Sequence, residues 1–495
     1  SAREAVDAVL RENIHGLELD QRCVELAAFA LALTAWKYPS AGGYRVLPDL
    51  NVACSGLSIS AKKEEWLALA GDNTNLRLAL DELYKQFKDA PVLGSLINPE
   101  ASLGKGSLFE LKWEEVGPLL TKALAGEMDD EKAEMGVVAR GVSKSAQILS
   151  QKYGLIITNV PYLARGKQND SLKLFSEKHY LNAKSDLATV FIDRCSGFCD
   201  KSATLVIVSP QNWWFLKSYA TFRANLLDSH KLNLISALGE EAWQAFGDRG
   251  PLATLVIYSR TNAAETHDDF NFYGMDAVKI KCLEDKIDKL HSGCLLPLGQ
   301  LGLRNNPDAR IGFSEVDTSK LLNKTAKTHV GFQNGDTPKY IRLFWDSYVD
   351  TKSWRFIQMP PNQVRFYTGL NSCISAEFEL GTVSEKAWHN QSSESFKKKG
   401  VLVRNMRDLS STIFLGGYFD QSGTAITCND DVLLNFWTFA SSPQFQVAVR
   451  QIEQKVNVTP ASFGKISFDL AHWSKVAEEK YPNGLPKPYT DDPTQ

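Results

Sequence analysis

The polar turn Thr158-Asn159-Val160-Pro161-Tyr162 directly follows the apolar run Leu155–Ile157 and combines residue types that can hold a planar amine. The proline restricts the turn, so that the Asn159 amide, the Val160 carbonyl and the Tyr162 ring lie near one point. Two oxygen acceptors can orient the two N–H bonds of an amine while the ring stacks on the base that carries it. This pattern predicts a site for the exocyclic amine of adenine, a poor nucleophile because its lone pair is delocalised into the ring.

The position of this turn in the chain supports a binding role. In an open α/β sheet, ligands bind beyond the carboxyl ends of the strands, and this turn follows a strand-like run. An adenine has to leave the DNA duplex before its amine can reach such a site. From the tetrapeptide alone, a plain turn with a hydrophobic plug is an equally good interpretation, because turn residues are common at strand ends.

Hydrophobic periodicity predicts strands and helices that alternate along much of the chain. In the first 60 residues we expect a helix over Arg3–Asn13, a strand over Ile14–Leu19, a helix over Gln21–Trp36 and a strand over Leu50–Ala53. Further on we expect strands over Gly154–Thr158, Ala203–Val208, Leu232–Leu238 and Leu252–Tyr258, with helices over Asp186–Phe198 and Phe215–Leu227. This alternation predicts a doubly wound α/β sheet.

Changes in sequence character predict the domain organisation. Between about residues 60 and 152, apolar residues recur at helical spacing, which indicates a helical insertion. After about residue 260 the strands become shorter and Asn, Gly and aromatic residues more frequent, which indicates a second domain of mixed α+β type. We therefore expect a first domain over 1–270, a second over 285–480, and a linker or tail over 481–495, where prolines accumulate.

The composition is that of a folded protein without a membrane span. The 495 residues are 43% apolar and 23% charged, and no apolar stretch reaches the roughly 20 residues that a bilayer requires. A net charge of −3 means that any nucleic-acid site has to be a local basic patch. Eight scattered cysteines without a CxxC pair favour a reduced, cytoplasmic setting. We expect Cys195 and Cys199 to share a helix face and to bind no metal, because zinc sites need four ligands.

The turn at residues 159–162 resembles motif IV, the (Asn/Asp)-Pro-Pro-(Tyr/Phe) loop of amino-methyltransferases, with Val160 in place of the first proline. The family uses the carbonyl of that residue, so the substitution is compatible with activity. The resemblance implies that Asn159 and Val160 orient the target amine, that Pro161 shapes the loop, and that Tyr162 stacks on the base.

Two upstream segments are similar to the same family in the expected order. His15–Asp20 resembles motif II, in which an acidic residue accepts hydrogen bonds from the ribose of S-adenosylmethionine; Glu18 is the matching position, and Asp20 lies two residues on. Asn51–Leu57 resembles motif III, where the family often has an Asp and this chain has Ser55, with Cys54 beside it. The resemblance implies a Rossmann-like methyltransferase sheet that binds S-adenosylmethionine through these residues. Glu18 also fits an ordinary acid near a helix start.

The rest of the chain resembles the PglX-like (BREX) and type IIG adenine methyltransferases of restriction-modification and phage-defence systems. The similar segments are Asp186–Leu227, the opening of their target-recognition domain at Val330–Asp336, and its closing segment at Val456–Pro460. The resemblance implies a site-specific adenine-N6 methyltransferase that acts on double-stranded DNA, with Gln333 and Asn334 in its recognition domain. Other defence-system subunits are further candidate partners.

Two groups of basic residues lie where phosphate contacts are needed. Arg165 and Lys167 directly follow the motif IV turn, and the run Lys397-Lys398-Lys399 lies in the second domain. We expect both groups to contact DNA phosphates. For the lysine run alone, a solvated loop is the more frequent structure, because charge runs usually face water.

One motif of the family is missing from this sequence. The glycine-rich motif I, which surrounds the methionine end of the cofactor, should precede motif II, yet the fourteen residues before His15 contain no glycine. We therefore expect the chain to be a fragment whose upstream part carries the first strand and motif I.

Two other functions fit the same residues. Similar loops serve methyltransferases that modify glutamine side chains of proteins, although the large second domain favours DNA as the substrate. A non-catalytic DNA-binding scaffold of a phage-defence system would also keep this fold, and the substitution at Val160, the serine at position 55 and the missing motif I leave that alternative open.

Overall fold

The computed structural model describes residues 1–99, 118, 130–239, 242, 251–261, 270–333, 336–346, 352–376 and 393–488. The chain divides into two compact units. The first comprises Ser1–Pro210, Ser229–Asn233 and Ala253–Thr266, and the second comprises Gln211–Asp228, Leu234–Leu252 and His267–Gln495. The domain boundaries expected from composition differ from this division and stay a prediction.

The first unit opens with the predicted βαβ segment. Its elements are α1 (Ala2–Ala8), a π-helical turn (Val9–Asn13), β1 (His15–Glu18), α2 (Gln21–Lys37) and β2 (Asn51–Cys54). Ser1 and Glu4 form a capping box at α1, and the Asp20 carboxylate accepts a hydrogen bond from the Arg22 N–H at the start of α2. β1 and β2 pair in parallel, with Glu18 opposite Cys54. These local signals explain why the predicted elements match within a few residues.

A helical layer follows, as the spacing of its apolar residues predicts. It contains α3 (Lys63–Ala68), α4 (Thr74–Phe87), α5 (Ala90–Leu93) and α6 (Asp130–Ser150). The α3 side chain Trp66 is fully buried and donates a hydrogen bond from Nε1 to the Leu80 carbonyl of α4, at 2.8 Å. Ser145 of α6 donates from Oγ to the Cys54 carbonyl at 2.7 Å, which anchors the layer to the end of β2.

In the part of the chain that the structure describes, the larger sheet has six strands. They are β3 (Tyr153–Asn159), β4 (Cys199–Pro210), β5 (His230–Gly239), β6 (Ala253–Arg260), β7 (Asn271–Asp276) and β8 (Leu296–Gly299), in the order β3-β4-β6-β5-β7-β8. β3 and β4 are parallel, whereas β4 and β6 are antiparallel. β1 and β2 form a two-stranded sheet of their own. The α/β prediction is confirmed, and strand direction is the feature that periodicity did not reveal.

Helices α7 (Asp170–His179) and α8 (Leu187–Gly197) connect β3 to β4. Arg194 of α8 is buried and donates hydrogen bonds to the carbonyls of Ser95, Ile97 and Leu149, which ties α8 to the helical layer. The expectation that Cys195 and Cys199 share a helix face is wrong, because α8 ends at Gly197 and Cys199 is the first residue of β4.

The second unit is of mixed type, as predicted. Its helices are α9 (Ala220–Ser229, of which the last residue belongs to the first unit), α10 (Leu283–Ser292), α11 (Gln300–Asn305), α12 (Thr337–Tyr340), α13 (Asp430–Ala440), α14 (Pro443–Ile452), α15 (Pro460–Phe463) and α16 (Leu470–Lys480). Helix α9 begins five residues after the predicted start at Phe215, because a 3₁₀ turn occupies Lys217–Tyr219.

Among its described residues, this unit also contains two four-stranded sheets. One has the order β10-β12-β11-β15 and the other β14-β13-β16-β9. The strands are β9 (Ala326–Val330), β10 (Ile341–Leu343), β11 (Trp354–Gln358), β12 (Ser372–Ser375), β13 (Gly400–Arg404), β14 (Ser411–Phe414), β15 (Tyr418–Phe419) and β16 (Gly423–Cys428). A core of aromatic side chains from α13 to α16, including Phe436, Trp437 and Phe445, covers the second of these sheets.

The predicted tail begins at residue 481, and its described residues, 481–488, include side chains that pack against the second unit. Tyr481 and Leu485 contact the aromatic core of the second unit, and the Tyr367 hydroxyl donates to the Pro486 carbonyl at 2.7 Å. Residues 489–495 lie outside the described part of the chain. Within the described residues, no helix combines the length and the apolar character needed to cross a membrane.

Candidate functional site

The motif IV turn begins where β3 ends. Asn159 is the last residue of β3 and lies exposed, opposite Val208 of β4. Val160 is 2% exposed, and its N–H donates to the Val208 carbonyl at 3.2 Å. The turn is therefore attached to the neighbouring strand through its second residue, whose carbonyl is one of the two predicted acceptors.

The continuation of the turn is attached to the N-terminus of α8. The Asp186 carboxylate caps α8 by accepting a hydrogen bond from the Ala188 N–H at 2.9 Å, and the same oxygen accepts from the Leu163 N–H at 3.3 Å. The Leu163 carbonyl accepts from the Leu187 N–H at 3.0 Å and from Gln168 Nε2 at 2.9 Å. Both main-chain groups of the residue after Tyr162 are thus hydrogen-bonded.

Tyr162 is half-buried beside this contact. Burial, with a smaller contribution from the nearby Asp186 carboxylate, raises the pKa of the Tyr162 phenol to about 12. The side chain is therefore neutral near pH 7, which suits stacking on a base and excludes a phenolate as a general base there.

The four predicted cofactor residues lie at the carboxyl ends of β1 and β2. Glu18 ends β1 with an exposed carboxylate, and its Oε1 accepts a hydrogen bond from the Leu19 N–H at 2.7 Å. The Ser55 N–H and Oγ both donate to the Glu18 carbonyl, at 2.8 and 3.2 Å. Cys54 donates from Sγ to the Leu19 carbonyl at 3.3 Å, and burial raises the pKa of its thiol. The structure therefore brings motifs II and III together.

Asp20 has a structural partner at this site. It caps α2 and accepts hydrogen bonds from Arg22 Nε at 3.1 Å and Nη2 at 2.6 Å. The Arg22 guanidinium lowers the pKa of the Asp20 carboxyl to about 2. Asp20 therefore fixes the start of α2 directly after Glu18.

Glu18 and the residues packed around it fit the ribose end of S-adenosylmethionine. A ribose presents two neighbouring hydroxyl donors, and the exposed Glu18 carboxylate supplies acceptors for them. The main chain beside Glu18 is closely packed: a Cβ on Gly56 would lie 2.3 Å from the Leu19 carbonyl oxygen, and one on Gly94, whose φ is +49°, would lie 2.8 Å from Leu19 Cδ1. This packing keeps the end of β1 in a single position.

A cleft of about 220 Å³ lies between β1 and β3. His15, Gly16 and Leu17 line one side, and Tyr153 and residues 155–158 line the other. The rings of His15 and Tyr153 are 5.3 Å apart at its amino end. The cofactor residues and the motif IV turn thus lie at the ends of strands that border one cleft.

Arg165 and Lys167 follow the turn on a short 3₁₀ helix. Lys167 is exposed, whereas Arg165 pairs with Glu177 of α7 at 3.3 Å, and Lys184 contacts the same carboxylate at 2.7 Å. Lys184 and, to a smaller extent, Arg165 lower the pKa of Glu177. A phosphate that binds Arg165 has to compete with this ion pair.

The predicted DNA contacts of the second unit are exposed where they are described. Gln333 follows β9, and Asn334 lies outside the described residues. Lys397, Lys398 and Lys399 are exposed directly before β13; the Lys397 N–H donates to the Gly416 carbonyl at 2.8 Å. The described ranges contain no group of three or more His, Cys, Asp or Glu that could hold a metal ion.

The structure places two residues beside the turn that were not among the predicted site residues, Asp186 and Gln168. Gln168 is 3% exposed and reaches back to Leu163, five residues earlier. Asp186 has a local signal, since an Asp directly before an apolar helix is a typical N-cap. Its second contact, with Leu163, joins positions 23 residues apart and has no local signal.

Residues 12–243 match the family model described as the Eco57I restriction-modification methylase. The adenine-specific methyltransferase PglX of Lacticaseibacillus casei (strain Zhang) is 25% identical over 266 residues, which are 52% of this chain and 21% of PglX. The adenine-specific methyltransferase BrxX of Escherichia coli O9:H4 (strain HS) is 26% identical over 267 residues, which are 49% of this chain and 21% of BrxX. The chain thus spans about a fifth of the length of these curated relatives. The predicted resemblance to adenine-specific methyltransferases is confirmed.

Solved structures of restriction-modification enzymes are also similar, at greater distance. The Type IIL enzyme MmeI in complex with DNA is 10% identical, with 94% of this chain and 62% of MmeI covered and a TM-score of 0.43. The DrdV-DNA complex is 9% identical and has the same TM-score, with 97% of this chain and 56% of the DrdV chain covered. A likeness of this size is too distant to inform on function.

Proposed function

We propose that this chain carries the catalytic turn and the recognition domain of an S-adenosylmethionine-dependent DNA adenine-N6 methyltransferase of a restriction-modification or phage-defence system. The observation that carries the proposal is the turn Asn159-Val160-Pro161-Tyr162 at the carboxyl end of β3, attached to β4 through the Val160 N–H. The match of residues 12–243 to a restriction-modification methylase family supports it.

The residues of the turn act on a flipped-out adenine. Asn159 Oδ1 and the Val160 carbonyl each accept one N–H of the exocyclic amine, which favours the tetrahedral nitrogen that reacts. The neutral ring of Tyr162 stacks on the base and holds its plane. The proton can leave after methyl transfer, so the site needs no strong base.

Glu18, with Ser55 and Cys54 beside it, holds the ribose end of S-adenosylmethionine. This cofactor supplies an electrophilic methyl group when it is bound. The chain's own contribution is the position of the acid: the two hydrogen bonds from Ser55 to the Glu18 carbonyl and the packing of Gly56 on Leu19 fix the end of β1. Double-stranded DNA is the proposed substrate, with Lys167 and the lysine run 397–399 as phosphate contacts.

Replacement of Asn159 by alanine, in the protein extended upstream to restore motif I, tests this function. We expect Asn159→Ala to lower methylation of adenine in DNA by about 100-fold or more, because one of two aligned acceptors is lost from the transition state. Titration calorimetry with S-adenosylmethionine should give unchanged binding, since Glu18 is untouched. Asn169→Ala is the matched control, because Asn169 caps α7 ten residues further on and should affect methylation little.

Other outcomes separate the alternatives. Methyl transfer to a protein glutamine instead of DNA would support the glutamine methyltransferase. DNA binding without cofactor binding and without methylation, in the protein extended upstream to restore motif I, would support the non-catalytic scaffold. Equal methylation by Asn159→Ala and the unchanged protein would show that the turn is not the catalytic loop.

A further inference from the structure

Both main-chain groups of Leu163 form hydrogen bonds to residues later in the chain. We call the residues that take part the Leu163 clamp: Leu163, Gln168, Asp186 and Leu187. The Leu163 N–H donates to Asp186 Oδ1, and its carbonyl accepts from the Leu187 N–H and from Gln168 Nε2. The neighbouring Arg165 N–H donates to the Ser185 carbonyl at 3.2 Å. Two segments that are more than 20 residues apart are therefore hydrogen-bonded side by side.

Gln168 reaches Leu163 because the chain between them forms two tight turns. The Lys167 N–H donates to the Ala164 carbonyl at 2.8 Å, and the Gln168 N–H donates to the Arg165 carbonyl at 3.2 Å. These bonds fold the buried Gln168 side chain back onto the Leu163 carbonyl. The loop after Tyr162 is thus held by hydrogen bonds within the loop and by hydrogen bonds to the start of α8.

The clamp determines the backbone of Tyr162. The Leu163 N–H and the Tyr162 carbonyl belong to one planar peptide group, so a hydrogen bond that fixes the N–H also fixes ψ of Tyr162. Backbone angles in turn restrict the allowed rotamers of the tyrosine side chain. A rigid contact at Leu163 therefore limits the orientation of the neighbouring ring.

We propose that Asp186 and Gln168 are positioning residues that set the plane of the Tyr162 ring for stacking on the target adenine. The inference rests on the proposed function, since it assigns these residues a role at the same site. Asp186 makes the larger contribution because its carboxylate joins two elements: it caps α8 and accepts from the loop with one oxygen. The half-buried position of this acid, in which burial raises its pKa, strengthens its hydrogen bonds by excluding water.

Kinetics of Asp186 variants test the proposal. We expect Asp186→Ala to raise the KM for DNA about tenfold with little change in kcat, because stacking holds the base equally in the bound and the reacting state. A variant that merely folds less well would instead lower the apparent kcat and leave KM unchanged. Asp186→Asn keeps an oxygen acceptor at the same place and should restore a KM near that of the unchanged protein. Gln168→Met, of similar volume, should raise KM in the same direction.

Asp193→Ala is the matched control. Asp193 lies two turns further along α8, is half-buried like Asp186, and has a pKa that burial likewise raises. Its removal should leave the KM for DNA unchanged. A KM that rises equally in Asp193→Ala and Asp186→Ala would overturn the positioning role.

Two further measurements separate this inference from the proposed function. DNA with 2-aminopurine at the target position should fluoresce less when its base stacks on Tyr162, and Asp186→Ala should shift that signal. Amide hydrogen exchange, which needs no activity, should become faster in residues 160–168 of Asp186→Ala and not of Asp193→Ala. Unchanged exchange and unchanged KM in Asp186→Ala would refute the clamp, whereas absence of methylation by the protein extended upstream to restore motif I would refute the proposed function.

Discussion

At the scale of the residue, Val160 is the departure from the family motif that the structure explains. A proline at this position would have no N–H, whereas the Val160 N–H donates to the Val208 carbonyl of β4. The stiffness that a proline ring supplies covalently is replaced by a hydrogen bond to the adjacent strand. The carbonyl that the proposed reaction needs is the same in both residues.

Tyr162 gives a prediction at this scale. The pKa of its phenol is raised to about 12, so the ring is neutral near pH 7 and its hydroxyl does not act as a phenolate base. We expect Tyr162→Phe to retain methylation without a new step in the pH–rate profile up to pH 9. Tyr162→Ala should weaken DNA binding by about 1–3 kcal/mol, the contribution of one stacked base. Equal losses in both variants, measured as kcat/KM, would contradict a stacking role.

The residue scale also shows what the motifs left out. Asn159, Val160, Glu18 and Ser55 were recognisable in the sequence because each lies in a short segment with a fixed order of residue types. The second contact of Asp186 was not, since it depends on how α8 lies against the loop. The Arg165–Glu177 ion pair likewise depends on how α7 packs against the loop, and the motifs did not indicate it.

At the scale of the element, local signals predicted where helices and strands lie. The Asp20 and Asp186 caps and the periodicity of apolar residues specify α2 and α8 to within a few residues, whereas the periodicity indicated the helical layer only as a whole. The late start of α9 was missed because a 3₁₀ turn and an α-helix share the same apolar residues. Helix caps are local hydrogen bonds, so a sequence contains most of what determines them.

The α2 cap gives a prediction for pH dependence. The Arg22 guanidinium holds the folded-state pKa of Asp20 at about 2, below its ordinary value of 3.8, so the charge of Asp20 stabilises the folded protein above about pH 4. This contribution is lost as the pH falls from about 4 to about 2. Asp20→Asn keeps a capping oxygen and loses the charge.

The measurement is the difference in Tm between the unchanged protein and Asp20→Asn at a series of pH values. We expect the unchanged protein to have the higher Tm at pH 6, and the difference to narrow below pH 4. High salt should reduce the difference at pH 6, since the pair is exposed. A Tm difference that is the same at pH 6 and pH 3 would show that the Asp20 charge contributes nothing to the stability of the folded protein.

At the scale of the whole molecule, the two compact units carry different parts of the proposed function. The first unit holds the turn and the cofactor residues, and the second holds the lysine run 397–399. With a net charge of −3, the chain as a whole does not attract DNA, so binding has to depend on local positive charge. The exposed lysine run directly before β13 is one such place.

The lysine run gives a prediction at this scale. Replacing Lys397, Lys398 and Lys399 by alanine should weaken DNA binding and reduce the slope of log K against log salt by about 1 for each lost phosphate contact. The matched control replaces three exposed lysines elsewhere in the same unit, Lys279, Lys281 and Lys475, with the same change in total charge. Equal slopes for the two variants would return the run to an ordinary solvated loop.

The sequence by itself determined the α/β class and most element positions, and it predicted the helical insertion, the motif IV turn and the acid at the end of β1. These features depend on interactions between residues close together in the chain, namely caps, turns and the periodicity of apolar side chains. Resemblance to a methyltransferase family could be read from the same short segments.

Only the tertiary structure decided the antiparallel direction of β6, the separate pairing of β1 with β2, the meeting of Glu18 with Cys54 and Ser55, and the clamp on Leu163. Each of these brings together groups that lie about 20 to 50 residues apart in the chain. Such contacts depend on the packing of whole elements, because strand order and helix placement minimise exposed apolar surface over the entire unit and not within any one segment.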